Sequence, residues 1–245
     1  MTKILDVPFS TGSDFSNVKS IYSNGLYYTG LQAPNGIPNR IWIEDDACHI
    51  YLNTADAPTY NWKRSECEFG NLPTTFGQFW TSFDFMYTWE FNYFVVIGGI
   101  PNILNGQFGV AYVNIGYRIE DHHLLVQAPR DFSTANFYNR VVCKVPIVPN
   151  KWYSLLTHIN LQSDTTGFIE LFLDGVTIAK EWNLQTAHST ATGHYFKTGV
   201  YDGEHLEKFS EAKILMRNIS VWEGNDGYQT IMGGVPLCPT RLIQP

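Results

Sequence analysis

The stretch His194-Tyr-Phe-Lys-Thr-Gly-Val-Tyr201 concentrates side chains that could do chemistry. In an extended strand alternate residues share a face. Tyr195, Lys197 and Tyr201 therefore project together, with Gly199 leaving a gap between them, while Phe196, Thr198 and Val200 point the other way. Two phenols and an ammonium beside such a gap suit a sugar acid: the lysine answers its charge, and the phenols can hydrogen-bond or move a proton. A solvated strand face carrying ordinary β-forming tyrosines has the same pattern, so the stretch alone leaves both readings open.

A second stretch, Trp62-Lys-Arg-Ser-Glu-Cys-Glu-Phe69, alternates in the same way. Trp62, Arg64, Glu66 and Glu68 fall on one face, and Ser65, Cys67 and Phe69 on the other. The planar fork of Arg64 can grip a carboxylate through two hydrogen bonds, with Glu66 holding that fork in place. A structural Arg–Glu pair on a sheet surface is the alternative. Glu66 and Glu68 could also serve as the paired carboxylates of a glycoside hydrolase, although Arg64 and Lys197 suit an anionic sugar better than a neutral one.

The elements that position these residues are strands. Short β-branched and aromatic runs bounded by Gly, Pro, Asn and Asp recur along the chain. They predict strands at 40–43, 48–52, 79–86, 93–97, 108–115, 124–127, 141–145, 152–159, 167–173, 177–181, 194–201 and 214–222. Asp174-Gly175 between two apolar runs is a two-residue hairpin signal. Residues 228–232 could form at most one helical turn. With no linker, repeat or low-complexity segment, the expectation is all-β: one domain over residues 1–245, folded as a two-sheet β-sandwich.

Composition narrows the function. The 245 residues are 44% hydrophobic, 15% aromatic and 16% charged. That is ample apolar material for a core, which excludes disorder. No apolar run reaches the length of a membrane-spanning helix, so no membrane insertion is expected. A net charge of −7 argues against nucleic acid as a partner. The first residues lack a charged, apolar and small-residue succession, so no signal peptide is expected. G-x-S-x-G, H-E-x-x-H, phosphate-loop and G-x-G-x-x-G motifs are missing. Cys48, Cys67, Cys143 and Cys238 are scattered without a C-x-x-C pair; most are expected as buried thiols. Of the seven tryptophans, at least four are expected inside the sandwich, and the others are candidates to stack on sugar rings.

Together the two stretches resemble motifs of the jelly-roll alginate lyases. Arg64-Ser-Glu is similar to their R-(S/T)-E-L motif, and Tyr195-Phe-Lys-Thr-Gly-Val-Tyr201 to their Y-F-K-A-G-x-Y motif. Glucuronan lyases and heparin-lyase-like enzymes carry weaker versions. The runs from Trp152 to Asn160 and from Gly167 to Gly175 resemble the pair of strands that precedes the lysine–tyrosine strand in that family. The likeness runs in order from Trp62 to Trp222.

The resemblance implies a concanavalin-like β-jelly roll whose concave sheet binds an anionic polysaccharide and cleaves it by β-elimination. In that scheme Arg64 neutralises the uronate carboxylate and Tyr201 is the acid and, in a one-residue scheme, also the base. Lys197 and Tyr195 hold the substrate beside Glu66. Lys197 stands four residues from Tyr201, roughly 13 Å along a strand, so Arg64 is expected to be the cation nearest the phenol.

One departure matters. Where the family has Gln-x-His after Ile-Gly, this chain has Gly99 and Pro101. Neither can neutralise a carboxylate or accept a proton. Asp202, directly after Tyr201, adds negative charge where an amide is usual. The candidates for the missing role are Asn102, Asn114 with Tyr112, and His194; His122 and His123 are expected to be structural. The rival expectation is a non-catalytic carbohydrate-binding sandwich, such as an adhesin or a viral receptor-binding module. Neither reading requires a cofactor, and a structural calcium is compatible with both. Both imply work outside the cell or on a virus particle.

Overall fold

The computed structural model describes residues 1–10, 12–16, 18–23, 26–30, 32–33, 35–53, 55–56, 63–88, 95–104, 113–129, 139–202, 211–225 and 231. In chain order its strands are β1 (Thr2–Val7), β2 (Ser20–Ser23), β3 (Leu26–Tyr28), β4 (Ile41–Glu44), β5 (Ala47–Asn53), β6 (Lys63–Asn71), β7 (Gly77–Tyr87) and β8 (Val95–Leu104). They continue as β9 (Val113–Glu120), β10 (His123–Pro129), β11 (Asn139–Pro146), β12 (Tyr153–Leu161), β13 (Gly167–Leu173), β14 (Val176–Leu184), β15 (Ala191–Asp202) and β16 (Glu211–Glu223).

These strands form two eight-stranded antiparallel sheets. One runs β14-β13-β12-β7-β16-β5-β4, with β1 also paired to β16; the other runs β11-β10-β9-β8-β15-β6-β2-β3. Alternation explains how they close on each other. Along β7, Phe79, Phe83, Phe85 and Tyr87 are buried in the space between the sheets, where they meet Ile97, Ile100, Tyr117, Ile119, Phe196 and Val200 of the second sheet. The Asp174-Gly175 hairpin forms as its residues demand, joining Leu173 to Val176 with φ of 50° and 76° at the turn.

Two sequence expectations need correction. Among the described residues no tryptophan belongs to the cluster between the sheets. Trp80 and Trp222 are buried, but in a separate cluster with Leu156 and Phe172, and Trp182 is 54% exposed. Trp80 shows why: alternation with Phe79 and Phe83 turns it outward, leaving the inner positions to Phe, Tyr, Ile and Leu. The second correction concerns β8, which runs on through Gly98, Gly99 and Pro101 to Leu104. Proline is tolerated there because the ladder to β9 shifts register between Ile100 and Pro101. Residues 228–230 and 232 lie outside the described residues.

Candidate functional site

Strand β15 lies between β6 and β8 near the middle of the second sheet. Its register with β6 pairs Tyr201 with Arg64, Gly199 with Glu66, and Lys197 with Glu68. Cross-strand partners share a face, so the two sequence motifs form one surface. Phe196, Thr198 and Val200 are at most 1% exposed on the inner side. The register is the one that puts Tyr201, Lys197 and Arg64 on the outer face; a slip by one residue would exchange the two faces.

Charge on this face is closely organised. Glu66 is 3% exposed, and its carboxylate accepts from Lys197 Nζ at 2.8 Å and Arg64 Nη1 at 3.3 Å. Glu68, 4% exposed, pairs with Lys19 Nζ at 2.7 Å and accepts from the Tyr22 hydroxyl at 3.2 Å. A carboxylate survives such burial because its charge is paired and hydrogen-bonded. Both acids are thus engaged by their own cations. Glu66 holds Lys197 and Arg64 together, and the glycoside-hydrolase reading meets a pair of carboxylates already committed to cations.

The Arg64 guanidinium lies over two rings, 4.9 Å from the centre of Tyr201 and 5.9 Å from that of Tyr22. Lys197 Nζ is 5.1 Å from the centre of the same Tyr201 ring. The expectation that Lys197 stands too far from Tyr201 is therefore overturned. The separation along the strand is as expected, but both side chains are long and close it. Tyr201, partly exposed, is flanked by two cations. That is the setting a phenol needs if it is to release and recover a proton, because nearby positive charge favours the ionised form.

Gly199 also has a different role from the one its sequence suggests. Its φ is 149°, and a Cβ there would collide with the Ser65 carbonyl and the Glu66 backbone. The missing side chain admits the neighbouring strand, not a ligand, and brings Glu66 within reach of Lys197.

Tyr195 is 5% exposed, and burial together with Glu68 and Glu66 pushes its phenol up, so it stays protonated. His194 is fully buried. The alternation that turns Lys197 outward turns His194 inward, where burial pushes its imidazole down to about 4 against backbone hydrogen bonds to Thr75 and Pro101. This structure does not bring His194 into the site. His122 and His123 are also structural: His122 Nδ1 is 3.2 Å from the Tyr87 hydroxyl, and His123 Nδ1 is 2.7 Å from the Asp121 carbonyl.

On β8, Gly99 is the register partner of Lys197, so the position beside the lysine has no side chain. Asn102 pairs with His194, not with Lys197 or Tyr201. Asn114 falls where the β8–β9 ladder shifts register. The side chains of Asn102, Asn114 and Asp202 lie outside the described residues, as does Tyr112. Sequence reasoning missed Tyr22 and Lys19; the signal for Tyr22 was the alternation of a four-residue strand in which Ile21 faces inward, and Lys19, one residue before that strand, gave none. Cys48, Cys67 and Cys143 are buried free thiols, and Cys238 lies outside the described residues. Among the described residues no group of three or more His, Cys, Asp or Glu is placed to hold a metal ion.

Fold and site together define a jelly-roll sandwich with a cation-flanked tyrosine on one outer face. The sequence matches the polysaccharide lyase family over residues 35–220, and the chain belongs to that family. Its structure is similar to an endo-β-1,4-glucuronan lyase from the fungus Trichoderma reesei, with a TM-score of 0.62 and 13% identity, covering 91% of this chain and 96% of that one. It is similar to an alginate lyase of polysaccharide lyase family 7, with a TM-score of 0.67 and 15% identity over 86% and 96% of the two chains. It is also similar to an alginate lyase from Pseudomonas aeruginosa, with a TM-score of 0.60 and 13% identity over 85% and 99%. At such identities the likeness speaks for the fold. A comparison with curated protein sequences finds no match.

Proposed function

We propose that this protein cleaves a uronate-containing, alginate- or glucuronan-like polysaccharide by β-elimination, with Tyr201 moving the proton. The observation that carries the reading is the placement of two cations over the Tyr201 ring, Arg64 at 4.9 Å and Lys197 at 5.1 Å from its centre. In the reaction the C5–H bond of a uronate breaks, a C4–C5 double bond forms, and the C4–O bond to the leaving sugar breaks. The departing oxygen takes a proton. The C5 proton is weakly acidic until the adjacent carboxylate is neutralised, and Arg64 is the group to do that. Tyr201 then donates to the departing oxygen and, acting from the same side, can first receive the C5 proton. Glu66 holds both cations in register with the phenol and leaves their remaining donors for the substrate. Such polymers lie outside cells or on their surfaces, which is where the protein would act.

A second reading rests on Gly99. Because the residue opposite Lys197 carries no side chain, the same face could bind the polymer without cutting it. Incubation with alginate, glucuronan, hyaluronan, heparin and bacterial capsule separates the two. An ultraviolet-absorbing unsaturated uronate, which only elimination makes, establishes the lyase. Binding without that product establishes the carbohydrate-binding module.

A further inference from the structure

Two of the buried thiols form a pair. Cys48 lies on β5 of one sheet and Cys67 on β6 of the other. Both are fully buried between the sheets, and their side chains share a hydrogen bond. Packed sheets ordinarily stand about 10 Å apart. At β5 and β6 the backbones come closer, with Cα atoms of the two strands within 8 Å of one another. Two small side chains meeting end to end fit that spacing.

Cys143 is not a rival partner for Cys67. It sits on β11, five strands away from β6 in the same sheet. At about 4.8 Å per strand that is about 24 Å, whereas a disulfide needs Cα atoms within about 7 Å. The ladder neighbours offer no chemistry either: Cys48 stands opposite Ile43 and Met216, and Cys67 opposite Ile21 and Thr198.

We propose that Cys48 and Cys67 are a cross-linking site, closing in oxidising surroundings to a disulfide that ties the two sheets together behind the Arg64–Tyr201 surface. The oxidant is a low-molecular-weight disulfide such as oxidised glutathione. One cysteine attacks it as the thiolate, forming a mixed disulfide and releasing one small thiol. The second cysteine then attacks the protein sulfur of that mixed disulfide and releases the other small thiol. Two protein S–H bonds become one S–S bond, and the oxidant takes up two electrons and two protons as it is reduced to two thiols.

Burial sets when this happens. It pushes the Cys48 thiol well up, with the neighbouring Cys67 thiol adding to the effect, and exchange needs both a thiolate and access to it. The folded, reduced pair is therefore inert to an external oxidant, and the folded, oxidised pair to an external reductant. The bond closes while the chain folds and is sealed as the sheets meet, which makes it a structural cross-link and not a switch. Cys67 stands between Glu66 and Glu68, so the bond pins the strand that carries Arg64 and both buried acids to the sheet behind it. The cross-link does not depend on what Tyr201 does. It asks only for surroundings outside the reducing cell interior, where a polymer of the proposed kind is met.

The test refolds the full chain in a buffer of reduced and oxidised glutathione, blocks free thiols by alkylation in denaturant, and maps the peptides by mass spectrometry. The wild type should yield a Cys48 peptide joined to a Cys67 peptide, two hydrogens lighter than the separate pair. Its melting temperature should exceed that of protein refolded in dithiothreitol by about 10 °C, as expected for closing a loop of about 20 residues. Both results should survive in Cys143→Ala, and both should be lost in Cys67→Ala. Protein folded in dithiothreitol and then given oxidised glutathione should keep Cys48 and Cys67 as thiols until denaturant is added. Four free thiols in the refolded wild type, or Cys48 and Cys67 joined to other cysteines instead, would overturn the proposal. A Cys48–Cys67 bond that forms readily in the folded protein would overturn its sealed, structural character. The mapping of the wild type decides the pairing even where an alanine variant fails to fold.

Discussion

Lys197 and Glu66 meet at 2.8 Å although neither is the other's ladder partner: Lys197 stands opposite Glu68, and Glu66 opposite Gly199. The diagonal is available because Gly199 has no side chain and lets β6 approach. It draws the ammonium back toward Tyr201, so a pair buried on the outer face sets the charge around the phenol.

Tyr201→Phe removes one oxygen and leaves the ring beside its two cations. Fold and polymer affinity should be nearly unchanged, while turnover falls about a hundredfold or more, the usual worth of a general acid–base group. Arg64→Ala should lower turnover and also weaken binding, because its carboxylate contact exists before and during the reaction. Steady-state kinetics with a binding titration distinguishes the two patterns.

Glu66→Gln keeps the shape but leaves Arg64 and Lys197 without their shared counter-charge. Leaving buried groups unsatisfied costs about 1–3 kcal/mol, so the denaturant midpoint should fall. Turnover should fall as well, because the cations lose their alignment with Tyr201. A variant as stable and as active as the wild type would remove Glu66 from the positioning role.

Gly199→Ala should be destabilising even though alanine is small. Its Cβ would meet the Ser65 carbonyl and the Glu66 backbone at a φ of 149° that L residues rarely adopt. Strain of this kind costs about 1–3 kcal/mol. Thermal melting reads the loss directly.

Stability should also depend on acid through His194. Burial pushes its imidazole down to about 4 in the folded protein, below the ordinary value of about 6.5. Between these values the unfolded chain binds the extra proton, so stability falls as pH drops through this window and is fully present above it. The full effect is about 3 kcal/mol, from about 1.4 kcal/mol per unit. Urea midpoints across that range should slope in the wild type and flatten in His194→Asn.

The face of β15 was legible from the sequence because alternation is a strict rule: the positions of Phe196 and Val200 inside fix Tyr201 and Lys197 outside. The Asp174-Gly175 hairpin was legible for a similar reason, since few residues accept positive φ at both turn positions. What alternation cannot supply is which strands become neighbours. Tyr22 joins the site only through the pairing of β2 with β6. The gap assigned to Gly199 failed likewise, since a glycine's missing side chain can admit a ligand or a neighbouring backbone, and only the fold decides which. The tryptophans misled because size favours burial, whereas position along a strand decides the face.

The most direct test of the central claim is mass spectrometry of the oligosaccharides released from a polyuronate by the wild type and by Tyr201→Phe. Elimination at Tyr201 predicts products with one unsaturated end, lighter by one water than hydrolysis products. Their rate of release should fall about a hundredfold or more in the variant. Saturated products, or unsaturated ones released equally fast by folded Tyr201→Phe, would contradict it.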